Sequence, residues 1–421
     1  MLNTHSQKSV DASTFSAHFI KPLYSSYCFS RIPATIEHIF TKQENKHLPL
    51  DVLPKHGTIQ KVLFLFIDSF GWKWWDKYKN EYPFLKRFLE RGMVSKLTSQ
   101  FPSTTAAHVT TIHTGLEPGQ SGVHEWFYYE PLVGRVIAPL LYSYAGDKAR
   151  ETLTGVIKPY DAFPFETIYQ RLAKKGVASH VFQYKDYAPS PYTDVTFTGA
   201  TLHQYRSFPH ALTLLSSAMN EVHDPSYFFL YYDPIDTSGH INGPDSPERI
   251  AEIHNAFTML EDLLLKQIES LNETMILLSA DHGMANVSPD TTFYINKKYP
   301  DFEKYLKRGI DNMPLVPAGS ARDLFLYIKK EYVKQVVAML KKDLKGKAEV
   351  YETRTLIQMG FFSEEVPSQR FLDRVGNVVI LPYDGYAVWW YKKDMFEMKY
   401  FGHHGGGTRV ECEIPFLSLA L

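Results

Sequence analysis

Apolar and polar positions change their period repeatedly along this chain. The runs "KVLFLFID" (61–68), "SYFFLYYD" (226–233) and "TMILLSAD" (274–281) are short and almost continuously apolar. That is the pattern of strands buried on both faces, not of strands with one wet face. Between such runs, apolar residues recur three and four positions apart and predict helices near 83–91, from 105, near 209–222 and near 246–271. Further strands are predicted near 93–98 and at "VASHVFQY" (177–184). Buried strands alternating with amphipathic helices predict an α/β fold, with a mostly parallel sheet flanked by helices on both faces.

Three regions depart from this alternation. Residues 1–55 are polar, proline-spotted and weakly periodic, and read as an N-terminal arm packed on the body. Residues 120–160 are rich in aromatics and proline. Residues 294–394 mix "ARDLFLYI", a lysine-rich helix near 331–345 and "VGNVVILPYDGYAVWWY", and read as a smaller α+β cap or insertion. The catalytic core is then expected over 56–293 and 395–421.

A length of 421 residues with 44% hydrophobic content is ample for one large core with an inserted cap. The formal net charge of −1, with both signs interspersed, provides no global field for a nucleic-acid polymer or an anionic membrane. Cys28 and Cys412 are the two cysteines and imply no disulfide framework. The N-terminus lacks the apolar run of a secretory signal, and the apolar strands are too short to span a bilayer. These features lead to the expectation of a cytoplasmic protein; an uncleaved export signal would escape this argument.

Candidate chemistry collects at the strand ends. Asp68 ends the first apolar run, Asp233 and Asp236 follow the second, and Asp281 ends the third. Open parallel sheets bind ligands beyond the carboxyl ends of their strands. So many carboxylates at one edge call for a divalent metal, or a pair of them. His240 follows Asp236 by four residues, His282 follows Asp281, and His403 and His404 stand in "GHHGGG". Mixed imidazole and carboxylate ligation suits zinc best, with manganese or iron as alternatives. The stretch "FPSTTAAHVTTIHTG" (101–115) places hydroxyl side chains ahead of a helix. They can serve as N-caps, or one can be a nucleophile at a helix end that favours phosphate. A neutral threonine needs a base or a metal to attack, and the predicted metal site favours the nucleophile.

These motifs, in this order, resemble those of the type I phosphodiesterase/nucleotide pyrophosphatase family of the alkaline phosphatase superfamily. "FIDSFG" resembles its first-strand aspartate motif, "FPSTT" its nucleophile motif with Thr105 as the match, and "DPIDTSGHINGPDS" its Asp-x-x-x-His motif at Asp236 and His240. "SADHGM" and "GHHGG" resemble the remaining two, the latter pointing to His404 over His403. The resemblance implies two zinc ions roughly 4 Å apart, one on Asp236, His240 and His404, the other on Asp68, Asp281, His282 and the Thr105 oxygen. It implies hydrolysis through a phospho-threonine intermediate. His108 stands where nucleotide-cleaving members often have an asparagine that contacts phosphate, and His108 and Thr104 are the expected substrate contacts.

The expected partner is a small phosphate ester, a nucleotide among the candidates. Aromatics at Trp126, Phe127, Tyr128, Tyr129, Trp389, Trp390 and Tyr391 could stack a planar group or simply fill a core. Arg135, Arg150 and Arg322 are the candidate cations for a dianionic monoester, and no dedicated basic cluster accompanies them. A diesterase or nucleotide pyrophosphatase is therefore the leading reading. The alternatives are a phosphomonoesterase or phosphonate hydrolase on the same metals, and a catalytically dead binding module.

Overall fold

A computed structural model describes residues 1–421. Its centre is a seven-stranded sheet in the order β2-β17-β9-β1-β8-β6-β7. The strands are β1 (Lys61–Ile67), β2 (Met93–Thr98), β6 (Ala178–Tyr184), β7 (Thr201–Tyr205), β8 (Ser226–Tyr232), β9 (Thr274–Ser279) and β17 (Glu413–Ala420). Every residue of β1, β8 and β9 is buried, as continuous apolar runs require when helices cover both faces. β1 pairs in parallel with β8 on one side and β9 on the other, with Ile67 opposite Tyr232 and Phe66 opposite Ser279. β17 alone runs antiparallel, between β9 and β2.

This topology assembles the site. The central strands β9, β1 and β8 end at one edge, so Asp281, Asp68 and the segment from Asp233 to Asp236 arrive side by side. Because β17 runs the other way, the glycine-rich segment that precedes it enters at the same edge. β2 also ends there and leads through Ser99–Thr104 into the helix Thr105–Thr114.

The remaining strands form small sheets. β3 (Tyr128–Glu130), β4 (Arg135–Ala138) and β5 (Ser143–Tyr144) make an antiparallel set in the aromatic region. β10 (Ala285–Asn286) pairs with β16 (Gly402–His403), and β11 (Phe293–Tyr294) with β15 (Val388–Trp389). β12 (Leu324–Leu326), β13 (Ala348–Glu352) and β14 (Val378–Pro382) form a three-stranded antiparallel sheet with the helix Val333–Asp343 against it. That sheet has an apolar cluster of its own, including Leu324, Leu326, Val336, Leu340, Val350 and Ile380. The first 55 residues are more regular than their weak periodicity suggested. They contain the helices Thr4–Asp11 and Ile32–Thr41, and Val10, Phe29, Ile32, Ile36, Leu48 and Val52 join the main core.

The structure refines one helical expectation and adds a helix that periodicity did not predict. The helix near 246–271 starts as an ordinary α-helix, Pro247–Met259, and widens to i→i+5 winding over Leu260–Leu265 before ending at Ile268. The polar stretch after β8 is also a helix, Pro234–Asn242. Its short length and its glycine hide it from periodicity, yet it puts Asp236 and His240 four residues apart on one face.

Candidate active site

Thr105 is the first residue of the helix Thr105–Thr114, and Thr104 is the N-cap but makes no side-chain capping bond. The turn ahead of it is held from the glycine-rich segment: Ser103 Oγ donates to the Gly406 carbonyl (2.7 Å) and accepts from the Gly405 amide (3.2 Å). Thr105 Oγ1 lies 3.2 Å from His282 Nε2 and 3.5 Å from Asp68 Oδ2. The hydroxyl therefore points at the carboxylate edge of the sheet.

Two groups of metal-ligating atoms meet at this edge, Asp236 with His240 and His404, and Asp68 with Asp236 and His282. Asp236 belongs to both. Its Oδ2 is 3.3 Å from His240 Nε2, and its Oδ1 is 3.8 Å from His404 Nε2. His282 Nε2 is 3.5 Å from Asp68 Oδ1 and 3.2 Å from Asp281 Oδ2. Asp281 Oδ1 accepts from the Ser69 amide (3.1 Å) and the His282 amide (2.9 Å), leaving its other oxygen for the site.

The arrangement fits metal ions on two counts. First, Asp68 Oδ1, Asp236 Oδ1 and Asp281 Oδ2 are buried with no hydrogen-bond partner, and such groups are costly unless a cation meets them. Second, the three imidazoles are tied from behind: His240 Nδ1 to the Gly402 carbonyl (2.8 Å), His282 Nδ1 to the Gly283 carbonyl (2.8 Å) and His404 Nδ1 to the Ser103 carbonyl (3.0 Å). A carbonyl can only accept, so each Nδ1 carries the proton and each Nε2 presents a lone pair. The Nε2 atoms of His240 and His404 then face each other at 3.1 Å, which two bare lone pairs do not tolerate.

The protonation pattern reflects the same crowding. Burial, and then the neighbouring Asp281 and Asp236 carboxylates, hold the Asp68 carboxyl well above the usual range. Burial would raise Asp236 too, but the imidazoles of His240, His404 and His282 outweigh it and push it down. Burial, and then His282, hold His404 well below the ordinary histidine value. Burial opposes the charging of His282, but Asp281 prevails and raises it.

Other expected residues take different places. Asp233 accepts from the Tyr187 hydroxyl at Oδ2 (2.7 Å) and stands outside both ligand groups. His403 lines the cleft, with its Nδ1 3.0 Å from the His404 carbonyl, and is likewise outside them. Thr104 lines the cleft. His108 does not: it is fully buried, its Nδ1 is 2.7 Å from the Thr104 carbonyl, and its Nε2 accepts from the Gln100 amide (3.0 Å). It braces the turn that holds Thr105, and its nitrogens face no open space for a phosphate.

Two arginines outside the sequence reading of the metal site organise its loops. Arg249 is fully buried and donates to the carbonyls of Ile235 (3.2 Å), Pro244 (3.0 Å) and Ser69 (2.8 Å). It thereby joins the loop after Asp68 to both ends of the helix bearing Asp236. Its guanidinium also lies over the Trp74 ring at 4.4 Å. Arg322, a candidate for the substrate, is instead buried and bidentate on Glu411 (both contacts 2.9 Å). Glu411 accepts from the Gly406 amide (3.1 Å) and caps the turn at Thr408, so the pair shapes the glycine-rich segment. No motif marked either arginine; only their partners reveal the role.

The site opens into a cleft of about 680 Å³. Trp126, Phe127, Tyr187, Tyr192, Tyr231, Trp389, Phe396 and Tyr400 contribute aromatic wall. Tyr128 and Trp390 are core instead, and Tyr129 packs against Tyr327. Arg150 and Lys399 are the basic residues of the lining, whereas Arg135 is engaged by Asp311 (3.0 Å).

A profile of the type I phosphodiesterase/nucleotide pyrophosphatase family matches residues 62–406. Over 295 residues the chain is 23% identical to ectonucleotide pyrophosphatase/phosphodiesterase family member 3 of Rattus norvegicus, an alignment covering 67% of this chain and 31% of that protein. It is 24% identical over 265 residues to venom phosphodiesterase CdcPDE of Crotalus durissus collilineatus, covering 60% of this chain and 30% of that one. The chain thus matches about a third of the length of these relatives. Among solved structures, an inactive variant of murine ectonucleotide pyrophosphatase/phosphodiesterase 5 in complex with AMP superposes with a TM-score of 0.65 at 20% identity, over 86% of this chain and 88% of that one. The human counterpart superposes with a TM-score of 0.62 at 19% identity, over the same shares.

Proposed function

The chain belongs to the type I phosphodiesterase/nucleotide pyrophosphatase family, and on that premise we propose that it hydrolyses a phosphodiester or pyrophosphate bond in a small, nucleotide-like substrate, with Thr105 as nucleophile and zinc as cofactor. The observation that carries this reading is the position of Thr105 Oγ1. It lies at a helix N-terminus, 3.2 Å from His282 Nε2 and 3.5 Å from Oδ2 of Asp68, the carboxylate whose other oxygen is buried with no hydrogen-bond partner. Asp236, His240 and His404 would hold one ion, and Asp68, Asp281 and His282 the other, with the Thr105 oxygen beside it. Bound ions supply the positive charge that acidifies the threonine hydroxyl and offsets charge building on the phosphoryl oxygens.

The chain's own groups do the rest. In the first step the Thr105 hydroxyl gives up its proton to solvent, Oγ1 forms a bond to phosphorus and the bond to the leaving oxygen breaks, giving a phospho-threonine and a leaving group that takes up a proton. The free amides at the start of the helix Thr105–Thr114 point toward a phosphoryl oxygen and favour its negative charge. In the second step a water oxygen bonds to phosphorus, the bond to Oγ1 breaks, and the threonine hydroxyl is restored. His108 and Ser103 keep the turn in register through both displacements.

A diester is favoured over a monoester by the charges of the cleft. Apart from the proposed ligands, its lining has Glu125, Asp233, Asp394 and Glu397 against Arg150 and Lys399. A dianionic phosphate monoester gains little there, whereas the monoanionic phosphate of a diester needs less positive charge. The aromatic wall suits a planar leaving group, and the AMP held by the related murine protein supports a nucleotide. The test is turnover of bis(p-nitrophenyl) phosphate against p-nitrophenyl phosphate with zinc quantified. Faster cleavage of the diester, lost in Thr105→Ala, with about two zinc ions per chain that depend on the cleft ligands, supports the proposal. Preference for the monoester moves it to a phosphatase, and absence of metal overturns it.

A further inference from the structure

Away from the cleft, the segment "HIFTKQENKH" (38–47) folds back on the helix Ile32–Thr41. Lys42 adopts φ +54° and donates its amide to the His38 carbonyl (2.8 Å), which ends the helix and reverses the chain. Asn45 Nδ2 reaches the Ala34 carbonyl (3.2 Å), and the Leu48 amide reaches Thr35 Oγ1 (2.9 Å), with the Leu48 side chain buried. The returning strand of loop thereby lays the His47 ring against the His38 ring, centroids 4.2 Å apart.

Both rings are tied in the way that prepares a histidine for a metal. His38 Nδ1 is 2.9 Å from the Gln43 carbonyl, and His47 Nδ1 is 2.6 Å from the Leu48 carbonyl. Each Nδ1 therefore donates, and each Nε2 offers a lone pair. Glu44 Oε2 is 3.4 Å from His47 Nε2, and one ligand atom from each of the three residues lies within 4.8 Å of the others. The Glu44 side chain is largely exposed and free to turn toward an ion. None of these residues takes part in the proposed catalysis, and all precede the region matched by the family profile.

We propose that His38, Glu44 and His47 bind one zinc ion outside the catalytic cleft, forming a clip that fastens the loop to its helix. Two neutral imidazoles and one carboxylate, with water in the fourth position, make a tetrahedral set that suits zinc. The clip has a mechanical setting. Lys46 of the same loop pairs with Glu365, and Arg31 pairs with Glu364 (2.7 Å) while donating to the His47 carbonyl (3.5 Å). The helix Ile32–Thr41 packs in turn on the helix that starts at Thr105. Closing the clip fixes the N-terminal region against both.

The test compares zinc content of the full chain after stripping and dialysis against a zinc buffer. The variants are Glu44→Gln, His47→Gln, the pair together, and Asp236→Asn/His404→Asn. The double Glu44→Gln/His47→Gln variant is expected to hold one zinc fewer than wild type while retaining phosphodiester turnover. The Asp236→Asn/His404→Asn variant is expected to keep the clip zinc, and to lose it only when His47→Gln is added. Glu44→Gln alone, at an exposed site that cannot disturb folding, should weaken the ion by more than about 100-fold, beyond what the loss of an outer hydrogen-bond partner commonly costs. Zinc should also slow trypsin cleavage after Lys42 and Lys46 in wild type and not in the double variant. Equal zinc content in wild type and the double variant, or trypsin cleavage indifferent to zinc, overturns the proposal.

Discussion

Thr105 is an ordinary alcohol whose surroundings make it a candidate nucleophile: a helix end on one side and His282 and Asp68 on the other. Replacing it by alanine is expected to lower diester turnover by about three orders of magnitude or more, as loss of a covalent nucleophile does, while zinc content stays near wild type. Thr105→Ser, which keeps the hydroxyl, should retain measurable turnover. Arg249 shows a different kind of dependence. It holds three backbone carbonyls around the site, and Arg249→Leu strands them in a buried region. The expected cost is about 2–4 kcal/mol of unfolding free energy, read from the shift of the denaturation midpoint, with zinc content falling in step. The roles of Thr105 and Arg249 differ in visibility. Threonine stands in a motif, whereas an arginine in an amphipathic helix looks like any solvated cation until its partners are known.

At the scale of elements, the site depends on how closely short pieces approach. The strand β16 lies against the helix Pro234–Asn242 at two glycines: a Cβ on Gly402 would fall 2.4 Å from the Gly239 carbonyl oxygen. Gly402→Ala is therefore expected to push the His403–His404 segment off that helix, separating His404 from His240. Zinc titration should show the metal bound by Asp236, His240 and His404 weakened by at least about 10-fold, with far-ultraviolet circular dichroism unchanged because the large sheet is untouched. The long strands and the helices Pro83–Arg91 and Phe208–Glu221 were legible from periodicity. The helix Pro234–Asn242 was not, since it packs few apolar residues and is set by its neighbours.

At the scale of the whole molecule, acid stability is governed in part by histidines that folding buries uncharged. His113 and His124 are buried, and burial pushes each down to about 3. Their folded values lie below the unfolded value near 6.5, so their stabilising contribution is complete above that pH and is lost as pH falls toward about 3. Wild type should therefore lose up to about 1.4 kcal/mol per pH unit for each of them below pH 6.5. The paired variant His113→Gln/His124→Gln should show a shallower slope of denaturation midpoint against pH. An unchanged slope would mean that neither histidine is held neutral.

Local chemistry was enough to identify the α/β class and the buried strands and to single out Asp68, Thr105, Asp236, His240, Asp281, His282 and His404, which the fold brings to one edge, because burial on two faces and motif spacing leave periodic and compositional traces. It could not decide which side chains face the cleft. His108 sits in the nucleophile motif yet turns inward, and Arg322 turned from substrate candidate to brace for the glycine-rich segment. It also could not reveal that Asp236 stands between two ligand groups, or that His38 and His47 meet. Those relations arise from strand order, from the reversed direction of β17 and from loop reversal, which bring together groups hundreds of residues apart. Periodicity reports the burial of a residue; only the packed chain determines what it is buried against.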